Sequence, residues 1–474
     1  VPVITQLLFR IPFMSSNKNF FLDVLALLEG KDPISAMNSP AHRFLLQMGY
    51  PLPNVHGPTA HGPTAHEPAL NVYDGAVGAD LGNIRVILQL ASRLERLFEL
   101  PHPDAVGATF WGGLVSAHAV PKDRHDNHLV GVGGRGVTPR QAFESCIGEA
   151  AEFLSFIERE NEPLIEPSTP VSGLSESNLS WSLAGIGMSS TTPIENLDWI
   201  EATSMRDGRK VYFPSKLVLR DSSAQKASKY QAGSAGVSAG PTIDRAIASG
   251  LMEVLERDAI SLWWYGGKAA RRIPDDFIQS TGIAQFTDLV RPKTDRCHWF
   301  LDLTTDIGVA SVAAISSLAG GTAVVAGFSS RPDIKEAMKS AFLEMCQMEL
   351  AQEIALYKQQ TKQKLSGQDL LWIQRADELT IDRFPRLLGE QHDAPQNLIG
   401  KDGSIAALTK QLANFGFEPF FVNLTRDDVR LPVVKVLVPG LQTTKIDWLT
   451  KRLGQVMKKN NIQPIGVSGL IAPI

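Results

Sequence analysis

The segment GPTIDRAIASGLMEVLERDA, residues 240–259, decides how this chain is interpreted, because an earlier stretch has the same pattern. GVTPRQAFESCIGEAAE, residues 136–152, places Thr, Ala, Ser, Glu and Glu at the same distances from its leading glycine. A weaker third copy, over residues 337–347, keeps the Ala, Ser and Glu positions and ends in Gln. A repeated unit of this kind predicts three similar helices around a shared centre.

The first two copies begin with residues that start a helix. Thr138 is suited to the N-cap, and Gln141 completes a capping box. Thr242 can cap the second helix in the same way. Glycine-rich stretches over residues 131–136 and 233–240 precede these caps, and we expect them to be turns. Such turns let the backbone approach an anion beside a helix N-terminus.

The two glutamates of each copy lie three residues apart, which places both carboxylates on one face of the helix. A solvated face is the ordinary explanation, but the residues around Glu149 and Glu152, and around Glu253 and Glu256, are nearly all apolar. We therefore expect enclosed carboxylates that require a cation or an arginine. If the two pairs converge, four carboxylates suit Mg²⁺ that also binds phosphate oxygens.

Two arginines accompany these glutamates. Arg257 directly follows Glu256 and can contact a phosphate or hold a carboxylate. Arg135 lies within the first glycine-rich stretch, where a cation would assist phosphate binding. An ordinary salt bridge explains either arginine equally well. The aromatic run over residues 263–265 is expected to pack in the core rather than to stack on a ligand.

Composition excludes several classes of protein. The chain has 474 residues, a formal charge of −4 and a pI near 6.2, which argues against a nucleic-acid binder. Cys146, Cys297 and Cys346 lie far apart and fit neither a disulfide framework nor a zinc site. A reducing compartment, and hence a cytoplasmic location, is expected. The uncharged run over residues 309–328 contains a Gly-Gly turn signal, which favours a β-hairpin over a membrane span.

Strand-like and helical runs alternate from about residue 105, which predicts an α/β (α+β layered) core of mixed sheets and helices, with a smaller N-terminal region. The predicted divisions are an N-terminal docking region (1–50), a linker (51–68), a helical connector (69–104), a core (105–442) and a C-terminal extension (443–474). The connector includes a helix predicted over residues 82–100.

The linker contains the pentapeptide HGPTA twice. It spaces His56, His61 and His66 five residues apart, in a Pro/Gly context that forbids a helix. A metal site is conceivable, but the composition favours a flexible repeat expansion.

Five ordered segments resemble motifs of the YcaO family, over about residues 105–442. Residues 134–136 resemble its G-K-G turn, and residues 145–152 its S-x-x-G-E-x-x-E-R helix. Residues 251–259 match L-x-E-x-x-E-R-D-A, residues 341–347 resemble A-L-x-E-x-x-Q, and residues 431–441 resemble the C-terminal strand and P-G-L turn.

The resemblance implies a site for ATP and Mg²⁺. The implied nucleotide-binding residues are Arg135, Glu149, Glu152, Glu253, Glu256, Arg257, Glu344 and Gln347. The implied metal ligands are Glu149, Glu152, Glu253 and Glu256. The sequence departs from the family pattern at four positions, which removes possible ligands: Phe153, Ala235, Pro241 and Arg245.

The resemblance also implies an activity. Family members use ATP to activate the backbone amide of a ribosomally made precursor peptide, and Cys, Ser or Thr becomes thiazoline or oxazoline in the biosynthesis of peptide antibiotics or bacteriocins. The expected partners are the peptide, a ThiF-like leader-binding protein and a flavin-dependent dehydrogenase, in a multi-subunit complex without nucleic acid or membrane. An ATP-dependent thioamide-forming enzyme and a non-catalytic nucleotide-binding scaffold are the alternatives.

Overall fold

Helices and strands alternate along the chain, as expected for a mixed α/β protein. The computed structural model describes residues 17–30, 39–51, 81–116, 129–159, 162, 164–166, 172–188, 197–220, 232–391, 402–443, 448–463 and 472–473. The helices are α1 (Asn17–Leu28), α2 (Pro40–Gln47), α3 (Leu81–Ala91), α4 (Pro139–Phe156), α5 (Glu176–Gly185), α6 (Ser215–Val218), α7 (Ile243–Trp264), α8 (Asp275–Ser280), α9 (Ile283–Val290), α10 (Ile334–Gln360), α11 (Gly367–Glu378), α12 (Ile405–Asn414) and α13 (Lys451–Lys459). The strands are β1 (Arg96–Leu100), β2 (Thr109–Ser116), β3 (Leu129–Gly136), β4 (Ile165–Glu166), β5 (Trp199–Ser204), β6 (Lys210–Pro214), β7 (Val237–Ala239), β8 (Arg271–Arg272), β9 (Cys297–Asp302), β10 (Ala310–Ser317), β11 (Val325–Arg331), β12 (Glu390–Gln391), β13 (Phe420–Asn423) and β14 (Val433–Leu437).

The chain divides into two compact units. The first consists of Val1–Ser155, Ala239–Arg245 and Thr425–Val433. The second consists of Phe156–Ser238, Ala246–Leu424 and Val434–Ile474. The functional divisions expected from the sequence stay predictions.

The first unit contains an antiparallel sheet in the order β1–β2–β3. The helix expected over residues 82–100 ends at Ala91, so the second half of that prediction is wrong. Residues 96–100 form β1 instead and pair with residues 110–114 of β2. Leu94 and Leu97 are buried. A short apolar run fits a helix face or a strand equally well, and here the pairing with β2 decides.

The N-terminal helices of the first unit pack on α4. The rings of Phe21 and Phe44 lie 5.9 and 5.3 Å from the ring of Phe143. The buried hydroxyl of Tyr50 donates a 3.0 Å hydrogen bond to Glu144 on the same helix. The described part of the N-terminal region is therefore continuous with the packing around α4.

The first glycine-rich stretch is a strand, and its prediction as a turn is wrong. Residues 131–136 belong to β3 and pair with β2. A Cβ on Gly134 would lie 2.1 Å from the carbonyl oxygen of Ala142 and 2.3 Å from the amide nitrogen of Cys146. Glycine at residue 134 is required because the strand lies directly against the backbone of α4.

The second unit contains two sheets. One has the order β11–β10–β9–β8–β12, and the other has the order β4–β5–β13–β14–β7, with β6 paired to β5. The predicted hairpin over residues 309–328 is confirmed, since β10 and β11 are antiparallel and Gly320 and Gly321 have positive φ between them. None of the described helices combines the length and the apolar character that a membrane crossing needs.

The core of the second unit surrounds the C-terminal half of α7. Trp263 and Trp264 are fully buried and lie in a cluster that includes Phe328 and Phe384. Tyr265 is partly buried against the same cluster. The expectation that residues 263–265 pack in the core is confirmed.

The HGPTA repeat with His56, His61 and His66 lies outside the described residues. Its interpretation as a flexible linker stays a prediction.

Candidate functional site

The predicted caps begin both glutamate helices. Thr138 Oγ1 accepts the amide hydrogen of Gln141 at 3.2 Å, and Gln141 Oε1 accepts that of Val137 at 3.1 Å. Thr242 Oγ1 accepts the amide hydrogen of Arg245 at 3.2 Å. Because the caps occupy the same position in each copy, the first glutamate of each pair falls on the same turn of its helix.

Glu149 lies on α4 and contacts the strand that precedes this helix. The amide nitrogen of Gly133 donates to its Oε2 at 2.7 Å. The expectation that Glu149 is enclosed is wrong, because this residue is exposed. Its neighbours Ile147, Ala150 and Ala151 are buried, but they lie on other sides of the helix. Apolar neighbours in sequence therefore do not enclose this carboxylate.

The first unit also contains the predicted site residues Glu152 and Arg135 and the departure at Phe153. Glu152 is half-buried and accepts the amide hydrogen of Ala239 at 2.8 Å. Arg135 is half-buried on β3, within a strand rather than in a turn. Phe153 is half-buried where the family motif carries arginine. The ligand roles of Arg135, Glu149 and Glu152 stay predictions.

Glu253 on α7, in the second unit, makes the same kind of contact as Glu149. The amide nitrogen of Gly236 donates to its Oε2 at 3.1 Å. Gly236 has φ +82°, and a Cβ there would lie 2.4 Å from the carbonyl oxygen of Val436. Only glycine fits this position, which holds the amide hydrogen in reach of the glutamate.

Glu256 and Arg257 follow on the same helix. The amide nitrogen of Ser330, near the end of β11, donates to Glu256 Oε2 at 3.2 Å. Arg257 Nη2 lies 3.6 Å from Glu253 Oε1, and its Nε lies 4.0 Å from Glu256 Oε1. The side chain of Glu256 is 12% exposed, whereas those of Glu253 and Arg257 are near 30%. The arginine thus lies alongside both carboxylates.

Glu344 on α10 adds a third carboxylate to this group. Burial raises the pKa of Glu256 to about 7; Arg257 opposes this rise, and the charges of Glu344 and Glu253 add to it. Burial and, more weakly, Glu344 also raise the pKa of Glu253. Gln347 is half-buried one turn further along α10. We call Glu253, Glu256, Glu344 and Arg257 the second-unit cluster.

Arg257 is protonated in this environment. Burial lowers the pKa of its guanidinium, but the charges of Glu256, Glu253 and Glu344 outweigh that effect and raise the pKa. The neighbouring carboxylates therefore favour the charged form of this guanidinium.

Arg331 was not singled out from the sequence. It ends β11, and its Nη1 donates to Ser330 O at 2.7 Å while its Nη2 donates to Ser340 Oγ at 3.3 Å. Its positive charge lowers the pKa of Glu256. The only sequence signal is its position, a basic residue at the end of a mostly apolar, uncharged run.

Lys435 was also missed, although it is a lone charge in the apolar strand β14. It is buried, and its Nζ donates to the carbonyl oxygen of Gly233. Burial lowers the pKa of Lys435 to about 7, and the charge of Glu253 opposes this. Lys435 therefore supports the loop that presents Gly236 to Glu253.

An ionic network around the buried Asp258 links α7 to α13. Asp258 is fully buried and accepts the amide hydrogen of Gln442 and the Nε hydrogen of Arg452, both at 2.9 Å. Arg452 also pairs with Asp306. Helix α13, which carries Arg452, is thereby fastened to the helix that carries Glu253 and Glu256.

The donor set of the second-unit cluster fits Mg²⁺ that is bound together with phosphate. Carboxylate oxygens are the ligands that this ion prefers. Among the residues that the structure describes, no three His, Cys, Asp or Glu side chains form a ready-made metal site. Mg²⁺ commonly takes one or two carboxylates and completes its shell with phosphate oxygens and water. Arg257 adds the positive charge that phosphate requires.

Sequence comparison finds a family and a relative. A family model described as a YcaO cyclodehydratase, ATP- and Mg²⁺-binding, matches residues 133–442. A protein from Methanothermobacter thermautotrophicus, described as uncharacterized, is 26% identical over 389 residues, which cover 77% of this chain and 93% of the relative.

Solved structures share the fold. A heterocyclase in complex with substrate and cofactor gives a TM-score of 0.63 at 20% identity, over 80% of this chain and 54% of the other. YcaO from Methanopyrus kandleri bound with AMPPCP and Mg²⁺ gives 0.54 at 19% identity, over 74% and 86%. The E. coli microcin synthetase McbBCD complex gives 0.53 at 15% identity, over 73% and 88%. This chain spans about half the length of the heterocyclase it matches.

The matched span covers more than half of the chain and contains every site residue predicted from the sequence. ATP and Mg²⁺ are the ligands by which that family is described. The chain belongs to the YcaO family of ATP- and Mg²⁺-binding cyclodehydratases.

Proposed function

We propose that this protein is an ATP- and Mg²⁺-dependent cyclodehydratase that acts on the backbone of a ribosomally made precursor peptide. The observation that carries the proposal is the second-unit cluster, in which Arg257 lies alongside Glu253 and Glu256 and within the electrostatic influence of Glu344, in a chain of the YcaO family. Such a mixture of carboxylates and a guanidinium suits a ligand that contains both a metal ion and phosphate.

The proposed reaction converts an amide oxygen into a leaving group. The side-chain sulfur or oxygen of Cys, Ser or Thr loses its proton and bonds to the carbonyl carbon of the preceding amide, which closes a five-membered ring and leaves the carbonyl oxygen as an oxyanion. ATP with Mg²⁺ supplies the phosphoryl group that this oxygen accepts. The oxygen departs as phosphate, the amide nitrogen loses its proton, and a carbon–nitrogen double bond forms within the closed ring, which gives the thiazoline or oxazoline.

The chain's own residues then have distinct roles. Glu253 and Glu256, together with Glu149 and Glu152 of the first unit, are proposed to hold the metal, and Glu344 and Gln347 to line the nucleotide site. Arg257 and Arg135 are proposed to contact phosphate oxygens. The amide hydrogens of Gly236 and Ser330 orient Glu253 and Glu256 before the ligand binds.

The protein is proposed to act on its peptide substrate as part of a multi-subunit complex. The McbBCD structure is a multi-subunit assembly, and one form of it has pro-MccB17 bound. We infer a similar organisation here, with a ThiF-like leader-binding partner and a flavin-dependent dehydrogenase that oxidises azolines.

Intact-mass spectrometry of the precursor peptide tests the proposal. With ATP, Mg²⁺, the partner protein and the peptide, each modified residue should lose one water, about 18 Da, because the amide oxygen leaves and the side-chain heteroatom stays. Omission of ATP is the control and should leave the mass unchanged.

Other outcomes identify the alternatives. A sulfide-dependent gain of about 16 Da per site would instead indicate thioamide formation, since sulfur replaces oxygen. An unchanged mass in the complete reaction would indicate a scaffold that binds nucleotide without catalysis. Either result would overturn the cyclodehydratase proposal.

A further inference from the structure

Arg331 brings a second guanidinium to the second-unit cluster. Hydrogen bonds from its guanidinium to Ser330 O and Ser340 Oγ hold it where β11 ends and α10 begins. Ser330 is also the residue whose amide hydrogen binds Glu256, at 3.2 Å. Hydrogen bonds thus link the Arg331 guanidinium and the Glu256 carboxylate to adjacent peptide units at the end of β11.

With Arg331, the second-unit cluster combines three carboxylates and two guanidinium groups. Arg257 lies alongside Glu253 and Glu256, and Arg331 acts on Glu256 from the adjoining strand. A bare divalent cation placed at these carboxylates would be repelled by both arginines. A cation that arrives with a polyphosphate brings anionic oxygens for the guanidinium groups to bind.

The described residues also lack a ready-made site for a bare ion, since no three acidic, His or Cys side chains meet the geometry of one. Mg²⁺ that keeps phosphate oxygens in its shell needs only one or two carboxylates. Both observations favour joint loading of metal and polyphosphate over metal binding alone.

We propose that Arg331 makes the site selective for metal-bound polyphosphate, because it contacts a phosphate oxygen and disfavours the bare divalent ion. This inference rests on the proposed function, since it concerns the same nucleotide site. It assigns to Arg331 a role that controls the order of loading: the metal enters with the nucleotide and does not precede it.

Removal of the Arg331 charge should change two affinities in opposite directions. In Arg331→Met, we expect affinity for Mn²⁺ alone, measured by electron paramagnetic resonance, to rise at least threefold, because a repelling charge is gone. We expect affinity for AMPPCP with Mg²⁺, measured by calorimetry, to fall at least tenfold, because a phosphate contact is lost. Misfolding of the site would instead weaken both.

Two further variants complete the test. Arg331→Lys keeps the charge and should bind bare Mn²⁺ within twofold of the parent. Arg383→Met removes an exposed arginine that pairs with Glu378 in the same unit, and should leave both affinities unchanged. Thermal unfolding of each variant reports whether the fold is retained.

The outcomes separate this inference from the proposed function. If the parent binds AMPPCP with Mg²⁺ and Arg331→Met changes neither affinity, or lowers both, the role of Arg331 is wrong and the function stands. If the parent binds no nucleotide, both fail.

Discussion

Helices α4 and α7 carry the same pair of glutamates in different surroundings. In each, the first glutamate accepts an amide hydrogen from a glycine of the preceding segment, Gly133 at 2.7 Å and Gly236 at 3.1 Å. Glu149 is exposed, whereas Glu253 is partly buried beside Arg257. The repeated motif therefore fixes how each glutamate is oriented, and the neighbouring elements decide its charge environment.

The two residues that follow the second glutamate of each pair show the difference most clearly. After Glu256, α7 continues with Arg257, beside the carboxylates, and with the buried Asp258. After Glu152, α4 has Phe153 and Leu154, both half-buried. One copy thus has two charged residues at these positions, and the other has two apolar residues.

Each of the two helices lies close to the segment that precedes it, but the glycine that permits the close approach is on a different element in each unit. In the first unit, Gly134 on β3 makes room for the backbone of α4. In the second, the glycine is on the helix: a Cβ on Gly250 of α7 would lie 2.8 Å from the carbonyl oxygen of Gly236. Substitutions that break one kind of contact and spare the other will show how much each copy depends on it.

We expect the largest effect from Gly134→Ala. Its Cβ would meet backbone atoms at 2.1 and 2.3 Å, so β3 or α4 must shift, at a cost of about 3 kcal/mol or more. Gly131→Ala on the same strand has nothing within 4 Å of the new Cβ and should change the free energy of unfolding by no more than about 0.5 kcal/mol. Chemical denaturation compares the two. Equal stability of both variants would show that the tight contact is absent.

Arg452→Leu tests the ionic support of α7. It leaves the Asp258 carboxylate buried without its arginine, and we expect a loss of about 3 kcal/mol or more in the free energy of unfolding. Lys451→Leu, at an exposed position of the same helix, is the matched control and should unfold like the parent. Hydrogen exchange over residues 451–459 should accelerate in the first variant alone. Unchanged protection there would mean that the ionic network does not hold α13.

The sequence predicted much of this fold because its strongest signals are local. The caps at Thr138 and Thr242 were recoverable because each depends on residues three apart. The hairpin over residues 309–328 was recoverable from its glycines.

The predictions from sequence that proved wrong depend on tertiary contacts. Residues 96–100 became a strand because β2 pairs with them, and the glycines of β3 serve helix packing rather than a turn. The exposure of Glu149 could not be inferred from apolar neighbours in sequence. Arg331 approaches Glu256 only through the pairing of distant elements, so no spacing in the sequence indicated it.

Calorimetry with AMPPCP and Mg²⁺ tests most directly the proposal that Glu149 and Glu256 each contribute to the binding of Mg²⁺ with ATP. Glu149→Gln and Glu256→Gln keep the side-chain shape and remove the charge, and each should weaken binding well over tenfold, about 1.4 kcal/mol or more. Glu201→Gln, at an exposed carboxylate on β5, is the control and should bind like the parent. Binding by Glu149→Gln and Glu256→Gln that equals the parent's would contradict the claim.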